Sequence, residues 1–185
     1  MEVFEAIRTR RDMDAFASEV PPRDVVARLI DAGVWAPNHR HTEPWRFHVL
    51  AGDGRTALAE ALARWLEGQG RGDAPQRAIR AKLVRSPVVL VVSQVGTPDD
   101  SVRDREDYAA CMCAVQNILL AAHAEGLIAH FSTDRTLMDE GARAYLGLAP
   151  ADRLVAYLHL GYRRDDTPPP EGARREPVVQ WAWPA

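Results

Sequence analysis

The order of apolar patterns along the chain predicts an α+β sandwich, in which helices cover a small sheet. Three observations lead there. Four short strand patterns are scattered among longer helical ones. Residues 86–95 hold an unbroken Val/Leu run, as in a strand covered on both sides. Residues 103–126 carry apolar or small side chains at nearly every angle of a helix, which calls for burial at the centre of a domain or an interface.

The elements follow in order. Val3, Phe4 and Ile7 mark a short first helix that ends in the charged cluster of residues 8–12. A second helix follows Pro21 and Pro22, with Val25, Val26, Leu29 and Ile30 on one face, and stops at the turn signal Pro37 and Asn38. Trp45, Phe47 and Val49 alternate with Arg46 and His48, the period of a half-buried strand, and Trp45 is expected in the core. A helix over residues 55–66 aligns Leu58, Leu62 and Leu66, then gives way to a Gly-rich stretch, 68–74, read as a mobile loop. After the Val/Leu strand and the long helix come a short strand at 128–131, a helix at 136–146 and a strand at 154–160. Three prolines, 168–170, open an extended tail whose Trp181 and Trp183 are expected to pack on a partner, because loose exposed indoles aggregate.

Composition narrows the function classes. The 185 residues, 46% of them hydrophobic, suit one domain with a self-sufficient core. A net charge of −3 supplies no basic field for nucleic acid or an anionic membrane. The N-terminus lacks the apolar run of a signal peptide, and Gln116, Asn117, His123 and Glu125 interrupt the most apolar stretch, so a cytoplasmic protein without a membrane span is expected. Cys111 and Cys113 project about 200° apart on a helix and cannot pair with each other, which leaves them as buried small residues or dimer contacts.

Two motifs are decoys. Gly52, Gly54 and Ala57 spell G-x-G-x-x-A between a strand and a helix, but the second parallel strand of a dinucleotide-binding unit is missing where residues 68–73 stand, so an ordinary turn near a helix cap is preferred. His39 and His41 have no further ligand at useful spacing, so no metal is expected.

Chemistry concentrates in two places. Arg10, Arg11 and Asp12 close the first helix, and paired guanidinium forks match phosphate oxygens, although a solvated helix end accounts for the pair equally well. The loop W-A-P-N-H-R-H-T-E-P-W, residues 35–45, gathers flat and hydrogen-bonding groups suited to a planar ligand, or to a structured corner around Trp45.

With A-I-R-T-R-R-D, A-P-N-H-R-H-T-E-P-W-R-F, S-P-V-V-L-V-V, A-A-C-M-C-A-V-Q-N-I-L-L-A-A-H-A-E-G-L and the closing L-G-Y in that order, the chain resembles the nitroreductase superfamily over nearly its whole length. It is most similar to the small YdjA-like NAD(P)H nitroreductase branch. The resemblance implies an α+β sandwich with a mostly antiparallel sheet, and a homodimer with the long helix at its centre. It further implies FMN at each interface site, NADH or NADPH as donor, and residues 163–185 as an extension embracing the partner.

By position it implies that Arg10, Arg11 and Asp12 hold the FMN phosphate and ribityl chain. Trp35 and His39 would contact the flavin, His39 from the other subunit. Phe131, Ser132 and Thr133 would run along the ring, and Arg175 would add a phosphate contact. The nicotinamide would stack near Ala121, Ala122, His123, Ala124, Glu125 and Gly126. The implied reaction is ping-pong transfer from NAD(P)H through flavin N5 to a nitroaromatic or quinone, with no catalytic side chain. Asp12 replaces the usual serine, and R-R-D also resembles 5,6-dimethylbenzimidazole synthase, which uses oxygen to fragment FMN. A flavin-binding dimer without turnover is a third reading.

Overall fold

The structure, a computed structural model, describes residues 1–135 and 137–183. Its centre is a four-stranded sheet of order β1-β2-β4-β3, made by β1 (Trp45–Ala51), β2 (Val88–Gln94), β3 (Leu127–Ser132) and β4 (Arg153–Tyr162). Every neighbouring pair is antiparallel. β2 is buried along its whole length, as its Val/Leu run requires when helices cover both faces.

The sheet divides two cores. Trp45, Leu90, Val92, Leu158 and Leu160 face α2 (Arg23–Val34) and α5 (Ser101–Ala124). Val89, Val91 and Tyr157 face α3 (Asp53–Gly68), α4 (Asp73–Val84) and α6 (Glu140–Tyr145), joined by Leu58, Leu62, Leu66, Ile79 and Leu83. Strand alternation sends consecutive side chains into different cores. A helix α1 (Val3–Thr9) precedes these layers and buries only Ala6, leaving Phe4 and Ile7 exposed.

α2 lies antiparallel along α5. Arg28 grips Glu125 through both carboxylate oxygens at one end, and the Asn117 amide donates to the Ala32 carbonyl further on. Gly33 permits the approach between them, because a Cβ there would stand 2.9 Å from Ile118 Cδ1. α5 buries one stripe, through Cys111, Ala114, Val115, Ile118 and Ala122. Its opposite stripe leaves Ala109, Cys113 and Gln116 exposed and Met112 and Leu120 half-buried.

Several boundaries differ from the sequence reading. The loop expected at 68–74 closes at Gly72, and α4 follows, a helix the reading missed. Pro75 sits in its first turn, where a missing N–H costs nothing, and only Ile79 and Leu83 form its buried seam. The helix expected from 136 begins at Glu140, where the Asp139 carboxylate caps Glu140 N; Thr136 lies outside the described residues. The decoy Gly52 is the N-cap of α3 with φ 52°, a turn conformation. Residues 163–183 contain no helix or strand, and Trp181 and Trp183 are 78% and 81% exposed.

Candidate functional site

The C-terminal end of α5 and the edge strand β3 form the walls of two adjoining clefts. The first, about 400 Å³, is lined by Thr9, Arg10, Met13, Leu119, His123 and Ala129 among others. The second, about 370 Å³, is lined by Arg10, Asp12, Met112, Val115, Gln116, Leu119 and Phe131. Arg10 and Leu119 belong to both. Each lies within the usual range for small-molecule sites.

The segment after α1 brings its charged residues here by adding to β3. Asp12 forms a parallel bridge with Ala129, and Met13 N donates to the Ala129 carbonyl at 3.0 Å. An edge strand exposes unpaired backbone groups, and this segment covers some of them. Asp12 completes the attachment: one carboxylate oxygen accepts the Phe131 backbone N–H, and the other meets His130 Nδ1, both at 2.8 Å. The carboxylate thus serves the strand edge.

The two arginines diverge. Among the described residues, the Arg10 guanidinium makes no hydrogen bond or ion pair, and it stands at the junction of the clefts. Arg11 donates to the carbonyls of Arg8, Arg10 and Pro170. Only Arg10 is left with a full fork of donors for an anion.

His123 faces the first cleft, with Nε2 2.8 Å from Thr9 Oγ1. The Thr9 hydroxyl donates its one proton to the Glu5 carbonyl, so it accepts from His123 Nε2–H. Burial first, and then the Arg10 charge, hold this imidazole below its usual pKa range, with Glu5 pulling the other way. Burial and Arg10 both favour the neutral form. Gly126, with φ 79°, turns the chain from α5 into β3 and also lines the cleft. Of its neighbours, Ala122 is in the core, Glu125 is tied to Arg28, Ala121 is half-buried and Ala124 is exposed.

Phe131 walls the second cleft, Ser132 is buried beneath the sheet surface, and Thr133 is exposed. Arg175 lies in the exposed C-terminal arm, residues 163–183. Arg163, which the sequence reading did not single out, lines the first cleft with its guanidinium donating to the Thr167 carbonyl. Its position at the end of β4 becomes informative only once β3 and β4 are paired.

Trp35 and His39 are elsewhere. Trp35 follows α2 and is 81% exposed. His39 Nδ1 meets Glu106 at 2.8 Å, and Thr42 donates to the buried Asp107, so the loop docks on the first turns of α5. Asn38 braces it by accepting Glu43 N at 2.7 Å, while Arg40, His41 and Glu43 all take positive φ, a strained conformation maintained by these contacts. At 1.5 Å per residue, Glu106 and His123 are about 25 Å apart along α5. Within one subunit, His39 and His123 therefore stand near opposite ends of α5.

Residues 7–162, most of the chain, match the family described as Nitroreductase family. The chain belongs to the nitroreductase family. YfhC of Bacillus subtilis, assigned by name to the NAD(P)H nitroreductases, is 29% identical over 178 residues, covering 94% of this chain and 89% of its own. Among solved structures, a nitroreductase-like family protein from Bacillus cereus aligns with a TM-score of 0.82 at 28% identity, covering 96% and 92% of the two chains. A nitroreductase with bound FMN from Bacteroides fragilis aligns at 0.75 over 98% and 99%, at 23% identity, a likeness of fold. The family match contains Arg10, Asp12, His39 and Phe131, and stops before the arm. Among the described residues of this nitroreductase-family chain, no helix is long and apolar enough to cross a membrane.

Proposed function

We propose that this protein is a homodimeric FMN-dependent oxidoreductase that takes electrons from NADH or NADPH and passes them to a small electrophilic acceptor of the nitroaromatic or quinone type. The observation that carries the reading is the unpaired Arg10 guanidinium at the junction of the two clefts. Its planar fork suits the FMN phosphate. The Asp12 carboxylate, which would repel that phosphate, is turned onto Phe131 and His130. The residues present therefore fit the cofactor that the Bacteroides fragilis relative carries.

When bound, FMN supplies hydride transfer in two successive half-reactions, first from the nicotinamide and then to the acceptor in a ping-pong order. The chain binds and orients. Arg10 holds the phosphate, Phe131 gives an apolar wall, and neutral His123 keeps a second positive charge away from Arg10. No side chain of this subunit needs to act as nucleophile or acid.

A second copy completes the site. The roughly 25 Å along α5 between Glu106, which anchors His39, and His123 of the first cleft is spanned if two α5 helices pack antiparallel through the stripe of Ala109, Met112, Cys113, Gln116 and Leu120. That packing covers a helix face that is otherwise half open, and lets each loop reach the partner's cleft. The arm, with Val178, Val179, Trp181 and Trp183 exposed, packs on the same partner. A mostly apolar groove of about 560 Å³ between α2 and the end of the β1–β2 pair, lined by Val26, Ile30, Val49, Ala51 and Val88, is available to receive it.

Anaerobic reduction tests the reading. The purified protein, soaked with FMN and freed of excess, is expected to retain flavin, bleach with NADPH or NADH, and recover colour with a nitroaromatic or quinone. A protein that keeps no flavin would defeat it. One that consumes its flavin in air and releases dimethylbenzimidazole would instead be a synthase, and a yellow protein that never bleaches would be a flavin carrier.

A further inference from the structure

Arg10 and Arg11 are adjacent and identical in side chain, yet the second guanidinium is enclosed by backbone. Arg11 Nη1 donates to the carbonyls of Arg8 at 2.7 Å and Arg10 at 2.9 Å, and Nε donates to the carbonyl of Pro170 at 3.1 Å. The first two lie at the C-terminal end of α1, where carbonyls lack partners within the helix and a cation is favoured. The third belongs to the C-terminal arm, 159 residues away. Gly172 rests on the same group: a Cβ there would have Arg11 Nη2, Cζ and Nε as its three nearest heavy atoms, at 2.2, 2.3 and 2.6 Å. Pro169, one residue before the grip, lines the first cleft beside Arg10.

We propose that Arg11 is a positioning residue whose guanidinium fastens the C-terminal arm, at Pro170 and Gly172, onto the end of α1, and so sets the direction in which residues 173–183 leave the subunit. The prolines give such a buckle its purpose. Residues 168–170 have no backbone N–H, so any hydrogen bond that holds their backbone to the subunit comes from a donor outside them, as Arg11 Nε supplies to the Pro170 carbonyl. Arg11 fits that need with a rigid fork that spans two carbonyl sets, which the single point charge of a lysine cannot do. Glycine at 172 fits it too, because any side chain would displace the guanidinium. This inference extends the reading of the clefts as the FMN site in one respect: Arg10 meets the phosphate while Arg11 fixes the wall beside it.

Limited trypsin digestion of the full-length protein tests the buckle, with cleavage after Arg174 and Arg175 followed by mass spectrometry and bound flavin measured in the same samples. Both sites lie just past Gly172, and cleavage there requires the neighbouring chain to lift away. Wild type and Arg10→Ala are expected to be cut at similar rates, while Arg11→Ala and Gly172→Ala are cut roughly tenfold faster, as fits the loss of hydrogen bonds from a charged donor. Arg11→Lys should fall between. Gly172→Ala removes no charge, so it also separates the buckle from a phosphate contact: it should keep more flavin than Arg10→Ala. Wild-type cleavage rates in both Arg11→Ala and Gly172→Ala would overturn the proposal, as would flavin loss in Arg11→Ala equal to that in Arg10→Ala with the arm still protected. Should Arg11→Ala not fold, Gly172→Ala decides alone. A colourless wild type whose arm is released by Gly172→Ala would refute the cofactor reading and uphold the buckle.

Discussion

The Asp12 carboxylate accepts the backbone N–H of Phe131 at 2.8 Å, tying the residue after the two arginines to the strand that walls the clefts. Asp12→Ala leaves that edge N–H and His130 without their partner. Since the carboxylate is half exposed, the loss should be about 1 kcal/mol, read from urea unfolding. Asp12→Asn retains an oxygen for Phe131 and should lose less. Equal losses in both variants would show that His130, not the strand, depends on the charge.

Arg10→Ala should weaken FMN binding by tenfold or more, the scale of a lost charge-assisted contact to phosphate, measured by flavin fluorescence on titration. Arg10→Lys should recover part of it, since an ammonium keeps the charge but not the fork. Flavin binding unchanged in Arg10→Ala would remove the central support of the proposed function.

Leu120→Asp places a charge on the half-buried stripe of α5 that is proposed to face the partner. The variant is expected to sediment as a monomer and to lose flavin together with the dimer, because Trp35 and His39 then lose access to the partner's cleft. A fully dimeric variant would mean that another surface joins the subunits.

Acid should weaken the fold through His159. Ser86 donates to the Val88 carbonyl and accepts from His159 Nδ1–H, while Nε2 is buried without a partner among the described residues, and burial first, with Arg85 next, pushes the imidazole down to about 3. The unfolded chain takes up this proton near pH 6.5 and the folded one does not. Stability is therefore full above pH 6.5 and declines as pH falls toward 3, by up to about 1.4 kcal/mol per unit. His159→Leu should flatten the curve of unfolding free energy between pH 6.5 and 4. An unaltered slope would assign the acid sensitivity to other groups.

Much of the fold was legible because its causes are local. The Val/Leu run of β2 admits little but a doubly covered strand, the Leu58, Leu62 and Leu66 spacing admits a helix, and Trp45 alternates into the core as its strand period demands. α4 escaped because a Gly-rich lead, an early proline and a seam of only two large apolar residues look like loop until Leu83 meets the sheet.

The family match, 29% identity to YfhC and the order of elements were all carried by the sequence, since strand and helix periods and the recurring segments are properties of neighbouring residues. What each charge does was not. Arg10 and Arg11 read alike along the chain, and only folding, by bringing Pro170 and Gly172 beside one of them, leaves one free for an anion and fixes the other to backbone. The same holds for Asp12, turned onto a strand 119 residues away, and for His39, set near the opposite end of α5 from His123. Hydrogen bonds between segments remote in sequence depend on where the packed elements place their ends, and no local pattern records that.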